Sequence, residues 1–194
     1  MRIIAGEFRG RALRSPRGQA TRPTIERVRE SVMSRVASAR GGFDGAVALD
    51  AFAGSGALGL EALSRGAACA WFFERDPEAL RALRANLQAC GLDRARACVR
   101  AADVLAEPPV GARRPFDLVF LDPPYAYDPA EVLGMAARLA RAGALDPEAL
   151  VLYEHATDAD EAVAAAAERC GFSLAQRKKY GDTVVDMLRL SRED

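Results

Sequence analysis

The stretch AVALDAFAGSGALG, residues 46–59, contains an apolar run, an acid and a glycine-rich turn, in that order. The apolar run predicts a buried strand that ends at Asp50, and the apolar residues after Gly56 predict a helix. The glycines fit the pattern GxGxxG, in which missing side chains let a ligand lie against the backbone. The stretch therefore predicts a Rossmann-like βαβ unit with a ligand site at its first turn.

Apolar runs and helical patterns alternate along the rest of the chain. This alternation predicts an α/β fold with right-handed βαβ units, a mostly parallel seven-stranded sheet and helices on both faces. Two alternating runs within residues 172–190 predict a C-terminal antiparallel hairpin. Near the N-terminus, apolar residues at helical spacing predict a helix that follows Thr24, the expected N-cap. The predicted domains are a basic arm and helix over residues 1–42 and a larger domain over residues 43–194.

Acids that end the predicted strands indicate which ligand the glycine turn binds. Glu74 ends the second strand, where an acid can bind the hydroxyl groups of a ribose. Asp50 precedes the glycine turn, where it would repel a pyrophosphate but would suit the ammonium group of a methionine moiety. Asp103 follows the third strand and can accept a hydrogen bond from an adenine amino group. These acids favour S-adenosylmethionine over a dinucleotide, the cofactor of dehydrogenases that share the glycine pattern.

A second site is predicted where Asp122-Pro123-Pro124-Tyr125 follows the apolar run of residues 118–121. Two prolines cannot continue a hydrogen-bonded ladder, so the chain leaves the strand at Asp122 as a stiff arch. The arch carries a carboxylate, two proline carbonyls and an aromatic ring, which together suit a flat ring that bears an amino group. We therefore predict that Asp122, Pro123, Pro124 and Tyr125 form the catalytic, amine-binding segment.

The net charge of zero conceals a basic N-terminus. Residues 1–30 contain eight arginines and three glutamates, so the remainder of the chain is acidic. A basic segment on an acidic domain predicts a polyanion partner such as RNA. Residues 177–179 add a second basic cluster, for which a solvated hairpin edge protected against aggregation is the alternative interpretation. The residues predicted to contact RNA are Arg9, Arg11, Arg22, Arg27, Arg29, Lys178 and Lys179.

Cysteine spacing and hydropathy limit the other classes of function. The four cysteines lack CxxC spacing and the chain has a single histidine, which argues against a zinc site and a disulfide framework. No metal is expected. No window is as apolar as a membrane span, and residues 1–6 lack the core of a signal peptide. These features predict a cytoplasmic protein.

Two sets of motifs resemble known families. Residues 50–62 and 122–125 resemble class I S-adenosylmethionine-dependent methyltransferases that modify exocyclic amino groups. Residues 2–6, 9–11, 22–24 and 27–30 are similar to the N-terminal signature of bacterial small-subunit ribosomal RNA guanine-N2 methyltransferases. The second resemblance spans nearly the whole chain. It implies methyl transfer from S-adenosylmethionine to guanine N2 in 16S rRNA.

The resemblance also implies roles for individual residues and partners. The substrate would be 16S rRNA within the small ribosomal subunit or an assembly intermediate, approached by a monomer. A DNA adenine-N6 methyltransferase, which shares the Asp-Pro-Pro-Tyr motif, and a non-catalytic RNA- or nucleotide-binding module are the alternatives. The expected cofactor contacts are Thr24, Asp50, Phe52, Gly54, Gly56, Glu74 and Asp103.

Overall fold

The computed structural model describes residues 1–16 and 23–191. The chain divides into two compact units, Met1–Asp103 and Val104–Asp194. The sequence predicted a different boundary, between residues 42 and 43, which divides the chain by expected function and not by compactness. That boundary stays a prediction. Within the described residues, no helix is long and apolar enough to cross a membrane.

The first unit contains three parallel strands in the order β3-β2-β1. Every residue of β1 is buried, as expected for a parallel strand covered on both faces. In the register, Val47 of β1 lies opposite Cys69 of β2. The elements are α1 (Pro23–Arg40), β1 (Val47–Asp50), α2 (Ala57–Ser64), β2 (Cys69–Glu74), α3 (Pro77–Ala89) and β3 (Ala97–Ala101).

The second unit contains four strands in the order β4-β5-β7-β6. Strand β5 is parallel to β4 and antiparallel to β7, which in turn is antiparallel to β6. The predicted seven-stranded, mostly parallel α/β fold with a C-terminal antiparallel hairpin is therefore confirmed. The elements are β4 (Phe116–Leu121), α4 (Pro129–Arg141), β5 (Leu145–Ala156), a 3-10 turn (Thr157–Ala159), α5 (Asp160–Arg169), β6 (Phe172–Tyr180) and β7 (Thr183–Leu190).

Local sequence signals set the starts of three helices. The side chain of Asp76 accepts hydrogen bonds from two backbone N–H groups in the first turn of α3, and Asp128 accepts one in α4. Each aspartate precedes a proline, whose missing N–H needs no partner at the first helical position. Proline is also the first residue of α1, which begins at Pro23. Thr24 therefore lies inside the helix, and the prediction that it is the N-cap is wrong.

The predicted N-terminal arm is docked on helix α2. Residues 1–13 form a tight hairpin with one antiparallel bridge, between Arg2 and Ala12. The backbone N–H groups of Ile4 and Ala5 donate to the Glu61 carboxylate at 3.0 and 3.1 Å. A Cβ at Gly6, where φ is +86°, would lie 1.7 Å from the Ser64 carbonyl oxygen, so only glycine permits this approach. The hairpin is therefore part of the first unit rather than an extended tail.

Asn86 of α3 connects this hairpin to the glycine turn. Its side-chain oxygen accepts a hydrogen bond from Arg14 N at 2.8 Å, and its amide nitrogen donates to the carbonyl of Arg14. The same nitrogen donates to the carbonyl of Ser55 at 2.9 Å. Because Asn86 is buried, these bonds satisfy polar groups that water does not reach.

Candidate active site

The glycine turn between β1 and α2 is the candidate cofactor site of the first unit. Gly54 has φ +53° and Gly56, the N-cap of α2, has φ +81°. Only glycine adopts these left-handed conformations without strain, which explains both positions. The N–H of Gly54 donates to Oε2 of Glu74 at 2.8 Å. The end of β2 thus fixes the turn after β1.

Glu74 holds its carboxylate in one orientation through three backbone hydrogen bonds. Besides the bond from Gly54, its Oε1 accepts from the N–H groups of Arg75 and Asp76, both at 2.7 Å. Glu74 is half-buried, and a carboxylate has about four lone-pair sites. Capacity therefore remains for about one further donor, and the predicted contact of Glu74 with a ribose stays a prediction.

Asp50 has a role that the sequence did not suggest. Its Oδ2 accepts a hydrogen bond from Gly59 N at 2.9 Å, and the residue is 1% exposed. The carboxylate therefore fixes the first turn of α2, where a negative charge is favourable beside the helix dipole. The predicted contact of Asp50 with a methionine ammonium stays a prediction, and the structure gives this residue a supporting function.

Gly59 tests how tightly the first turn of α2 packs on β2. A Cβ at this position would lie 2.4 Å from Cε1 of Phe72, which is fully buried. Gly59→Ala is expected to lower the free energy of unfolding by about 1–3 kcal/mol because the ring has no room to move. Gly134→Ala on α4, where nothing lies within 4 Å, is expected to raise it by up to about 1 kcal/mol. Urea unfolding measures both, and equal effects would contradict the packing argument.

The remaining predicted cofactor contacts have mixed outcomes. Asp103 follows β3 and forms an ion pair with Arg75 at 2.7 Å, in which both side chains are partly exposed. Arg75 was not predicted, because nothing in its local sequence indicates a partner on another strand. Phe52 is half-buried in the turn. The side chain of Thr24 lies outside the described part of the structure, so its predicted contact stays a prediction.

The Asp-Pro-Pro-Tyr segment is a second candidate site, which lies within the second unit. It leaves β4 after Leu121, as predicted, with Pro123 buried. Tyr125 is 56% exposed, and its hydroxyl group lies 3.0 Å from Thr183 Oγ1 at the start of β7. An exposed aromatic side chain that is held at its hydroxyl end presents its ring to a ligand at little entropic cost. This geometry suits stacking on a flat base.

Glu154 is a neighbour of Asp122 that sequence reasoning missed. The register places Leu121 opposite Tyr153, so Asp122 and Glu154 follow on adjacent parallel strands. Asp122 as a whole residue is exposed to solvent, but protein atoms surround its carboxyl group. The resulting desolvation raises the pKa of Asp122 to about 6. Burial, and then the Asp122 charge, raise the pKa of Glu154 to about 8. The signal was available, because Glu154 is another acid near a strand end.

The structure separates the arginines predicted to contact RNA. Arg9, Arg11 and Arg27 are exposed, and Arg22 lies outside the described residues. The prediction for Arg29 is wrong: its side chain is 4% exposed, donates to the Arg2 carbonyl and lies 3.7 Å from Glu61. A guanidinium buried beside a carboxylate stabilises the hairpin on α2 and cannot reach a phosphate.

The basic residues of β6 point to opposite faces of the hairpin. Arg177 forms two hydrogen bonds with the Asp186 carboxylate, both at 2.7 Å, so it holds β6 to β7. Lys178 lies opposite Val185, which lies opposite Glu154, whereas Lys179 lies opposite Val184. Because directly paired residues share a face and successive residues alternate, Lys178 is on the face of Glu154 and Lys179 is not.

Comparison with known proteins identifies the family. The family model described as conserved hypothetical protein 95 matches residues 1–189. The chain belongs to this family. Ribosomal RNA small subunit methyltransferase D of Haemophilus influenzae is 37% identical over 162 residues, 81% of this chain and 80% of that protein. The predicted resemblance to the small-subunit ribosomal RNA methyltransferases is therefore confirmed, and we describe the protein as a methyltransferase.

Solved structures agree with this family at the level of the fold. The structure of yhhF from Escherichia coli has a TM-score of 0.79 at 31% identity, and the match covers 100% of this chain and 99% of that one. Magnesium protoporphyrin IX methyltransferase from Synechocystis, with bound S-adenosylmethionine, has a TM-score of 0.69 at 17% identity and covers 90% of this chain and 87% of that one. At that identity the likeness concerns the fold alone. It is the class I methyltransferase fold that the sequence predicted.

Proposed function

We propose that this methyltransferase transfers a methyl group from S-adenosylmethionine to the exocyclic N2 amine of a guanine in 16S rRNA. The observation that carries the proposal is the Asp-Pro-Pro-Tyr segment. It presents an exposed carboxylate at Asp122 and an aromatic ring at Tyr125, which Thr183 holds. The membership of the family and the name of the Haemophilus influenzae relative support ribosomal RNA as the substrate.

The first unit would hold the cofactor through groups that the structure orients. The fixed Glu74 carboxylate suits the ribose hydroxyl groups, and Asp103 suits the adenine amino group. At Gly54, the position of a Cβ is open space, which lets a ligand approach the backbone. This donor and acceptor set fits S-adenosylmethionine. When bound, the cofactor would supply an activated methyl group, and its sulfur would be the leaving group that keeps the electron pair.

The second unit would make the amine reactive. The N2 lone pair of guanine is delocalised into the ring, so the amine is a poor nucleophile. Acceptors placed out of the ring plane, at Asp122 and the Pro123 or Pro124 carbonyl, favour a pyramidal nitrogen with a localised lone pair. Holding that nitrogen in line with the methyl group provides most of the remaining rate enhancement. The released proton passes from nitrogen to the Asp122 carboxylate or to water.

A base within a stacked helix cannot reach this segment, so the target guanine must be unpaired or flipped. Tyr125, which is 56% exposed, would replace the lost stacking. Exposed Arg9, Arg11 and Arg27 of the first unit would bind phosphates. We propose that the partner is the small ribosomal subunit or its assembly intermediate, met by a monomer in the cytoplasm.

The faces of β6 give a prediction about RNA binding. Lys178→Ala is expected to weaken RNA binding and to reduce the slope of log affinity against log salt by about one, because one phosphate contact is lost. Lys179→Ala removes the same charge from the opposite face and is expected to leave the slope nearly unchanged. Filter binding of 16S rRNA from 50 to 200 mM salt measures both slopes. An equal reduction of the slope in both variants would indicate that RNA contacts both faces of the hairpin.

The decisive experiment is methyl transfer from labelled cofactor to small ribosomal subunits from cells that lack this protein, followed by nucleoside mass analysis. N2-methylguanosine at a single position is the expected product. N6-methyladenine, or label that enters only duplex DNA, would retain amino-group methylation and overturn the proposed substrate. An absence of transfer to any nucleic acid, with cofactor bound, would favour a binding module.

A further inference from the structure

The function proposed above does not use Glu154, which lies on β5 beside the amine-binding segment. We propose that Glu154 is a second base-binding residue, whose carboxyl group donates a hydrogen bond to a ring nitrogen of the target base. Asp122 accepts a hydrogen bond from the amino group of the same base. The inference rests on the proposed function, because it requires that Asp122 binds the reacting amine.

The register brings the two carboxyl groups together. Leu121 at the end of β4 lies opposite Tyr153, so Asp122, just past β4, and Glu154 of β5 follow this pair, and the Asp122 charge acts on Glu154. On the other side, the partner of Glu154 is Val185, which supplies neither a charge nor a hydrogen-bonding side chain. Glu154 is therefore half-buried between an apolar neighbour and a second acid.

Hydrogen bonding distinguishes this pair from the other acids at strand ends. Asp50 accepts a bond from Gly59 N, and Glu74 accepts three from backbone groups. In the ranges 1–16 and 23–191, by contrast, neither the Asp122 nor the Glu154 carboxyl group has a hydrogen-bond partner. A half-buried carboxyl group without a partner, such as that of Glu154, is rare in folded proteins because its desolvation is not compensated. A ligand that bonds to both would provide that compensation.

The pair holds one proton over a range of pH. Two adjacent carboxylates repel each other, and burial adds to the cost of the second charge. The pKa of Asp122 is about 6 and that of Glu154 is about 8, so at pH 7 Asp122 is ionised and Glu154 is neutral. Burial also raises the pKa of Tyr125, which keeps this nearby hydroxyl group neutral in the same range. Among the described residues, the charge of Asp182 acts on Tyr125, and Lys178 lies two strands from Glu154 in the same row of paired residues.

The one-proton pair matches a particular edge of a base. It offers one acceptor and one donor side by side, which complements an amino group next to an unprotonated ring nitrogen. Guanine presents this combination at N2 and N3, and adenine presents it at N6 and N1. If Glu154 were also ionised, it would lack a hydrogen to donate and would repel the electron-rich ring nitrogen. Binding of the base is therefore expected to fail above the pKa of Glu154.

The test compares pH–rate profiles of methyl transfer to 16S rRNA for the wild type and three variants. The wild type is expected to lose rate below pH about 6, as Asp122 gains a proton, and above pH about 8, as Glu154 loses one. Glu154→Gln keeps an N–H donor at every pH, so it is expected to retain the rate at pH 7 within about fivefold and to lose the alkaline limb. Glu154→Ala is expected to lower the rate about 100-fold at pH 7.

Glu148→Gln is the matched control, because it makes the same side-chain substitution at an exposed position of β5 and is expected to change neither limb. Cofactor affinity and melting temperature, measured for every variant, separate a lost donor from a damaged fold. The inference is overturned if the alkaline limb survives in Glu154→Gln, or if the Gln and Ala variants lose rate equally. Failure of the proposed function is a different result, since the wild type itself would then not methylate 16S rRNA.

Discussion

Asp122→Ala is expected to reduce methyl transfer by about 1000-fold or more while leaving the affinity for S-adenosylmethionine within about twofold. The reason is that Asp122 belongs to the second unit and follows β4, whereas the groups proposed to bind the cofactor belong to the first unit. Removal of the carboxylate takes away the acceptor that localises the amine lone pair and no group that orients the cofactor. Single-turnover transfer of labelled methyl and calorimetric titration of the cofactor measure the two quantities.

Two further variants show whether the charge of Asp122 or its shape matters. Asp122→Asn preserves the shape but replaces one acceptor oxygen with an amide donor, so it is expected to lose nearly as much rate as the Ala variant. Asp158→Ala removes an exposed acid from the same unit and is expected to retain full activity. If Asp122→Ala weakened cofactor binding as much as it slowed transfer, Asp122 would be a structural residue.

Glu61→Ala is expected to lower the free energy of unfolding by about 3–5 kcal/mol, because it leaves the Arg29 guanidinium buried without a carboxylate. Glu61 is fully buried and also accepts hydrogen bonds from the N–H groups of Ile4 and Ala5. For a chain of this length, the loss corresponds to a fall in melting temperature of about 6–20 °C. Thermal unfolding followed by circular dichroism measures the change.

A double variant isolates the ion pair from the rest of this contact. Arg29→Met combined with Glu61→Leu replaces two buried charges by apolar side chains of similar volume, and it is expected to recover a large part of the stability lost in Glu61→Ala. The Ile4 and Ala5 N–H groups stay unpaired in both, so recovery is expected to be incomplete. A double variant no more stable than Glu61→Ala would mean that those N–H groups, and not the buried charge, dominate the loss.

Sequence reasoning succeeded where the information is local. The glycine turn and the proline arch after β4 each depend on a few consecutive residues, and the structure has them where they were predicted. The caps Asp76 and Asp128 are equally local, because each is an aspartate directly before a proline. Their backbone conformations follow from glycine freedom, proline restriction and side-chain capping. The alternation of strands and helices was predicted for the same reason.

Residues with distant partners were the ones that could not be predicted. Arg29 was assigned to RNA because its charge is visible in the sequence, whereas its burial beside Glu61 depends on how α1 and the N-terminal hairpin pack on α2. Arg177 is likewise held by Asp186 through the pairing of β6 and β7. Glu154 gains its importance only from the register of β4 and β5. The sequence shows which side chains are charged, but tertiary structure determines which group each charged side chain contacts.

The three backbone hydrogen bonds to Glu74 have a consequence for ligand affinity. A free glutamate at a protein surface samples many rotamers, and immobilising it on binding costs about 0.5–1.5 kcal/mol. Here the bonds from Gly54, Arg75 and Asp76 have already selected one rotamer as the chain folds. The carboxylate is therefore preorganised. When a ribose binds to it, the ribose loses conformational entropy, but the Glu74 side chain loses little more.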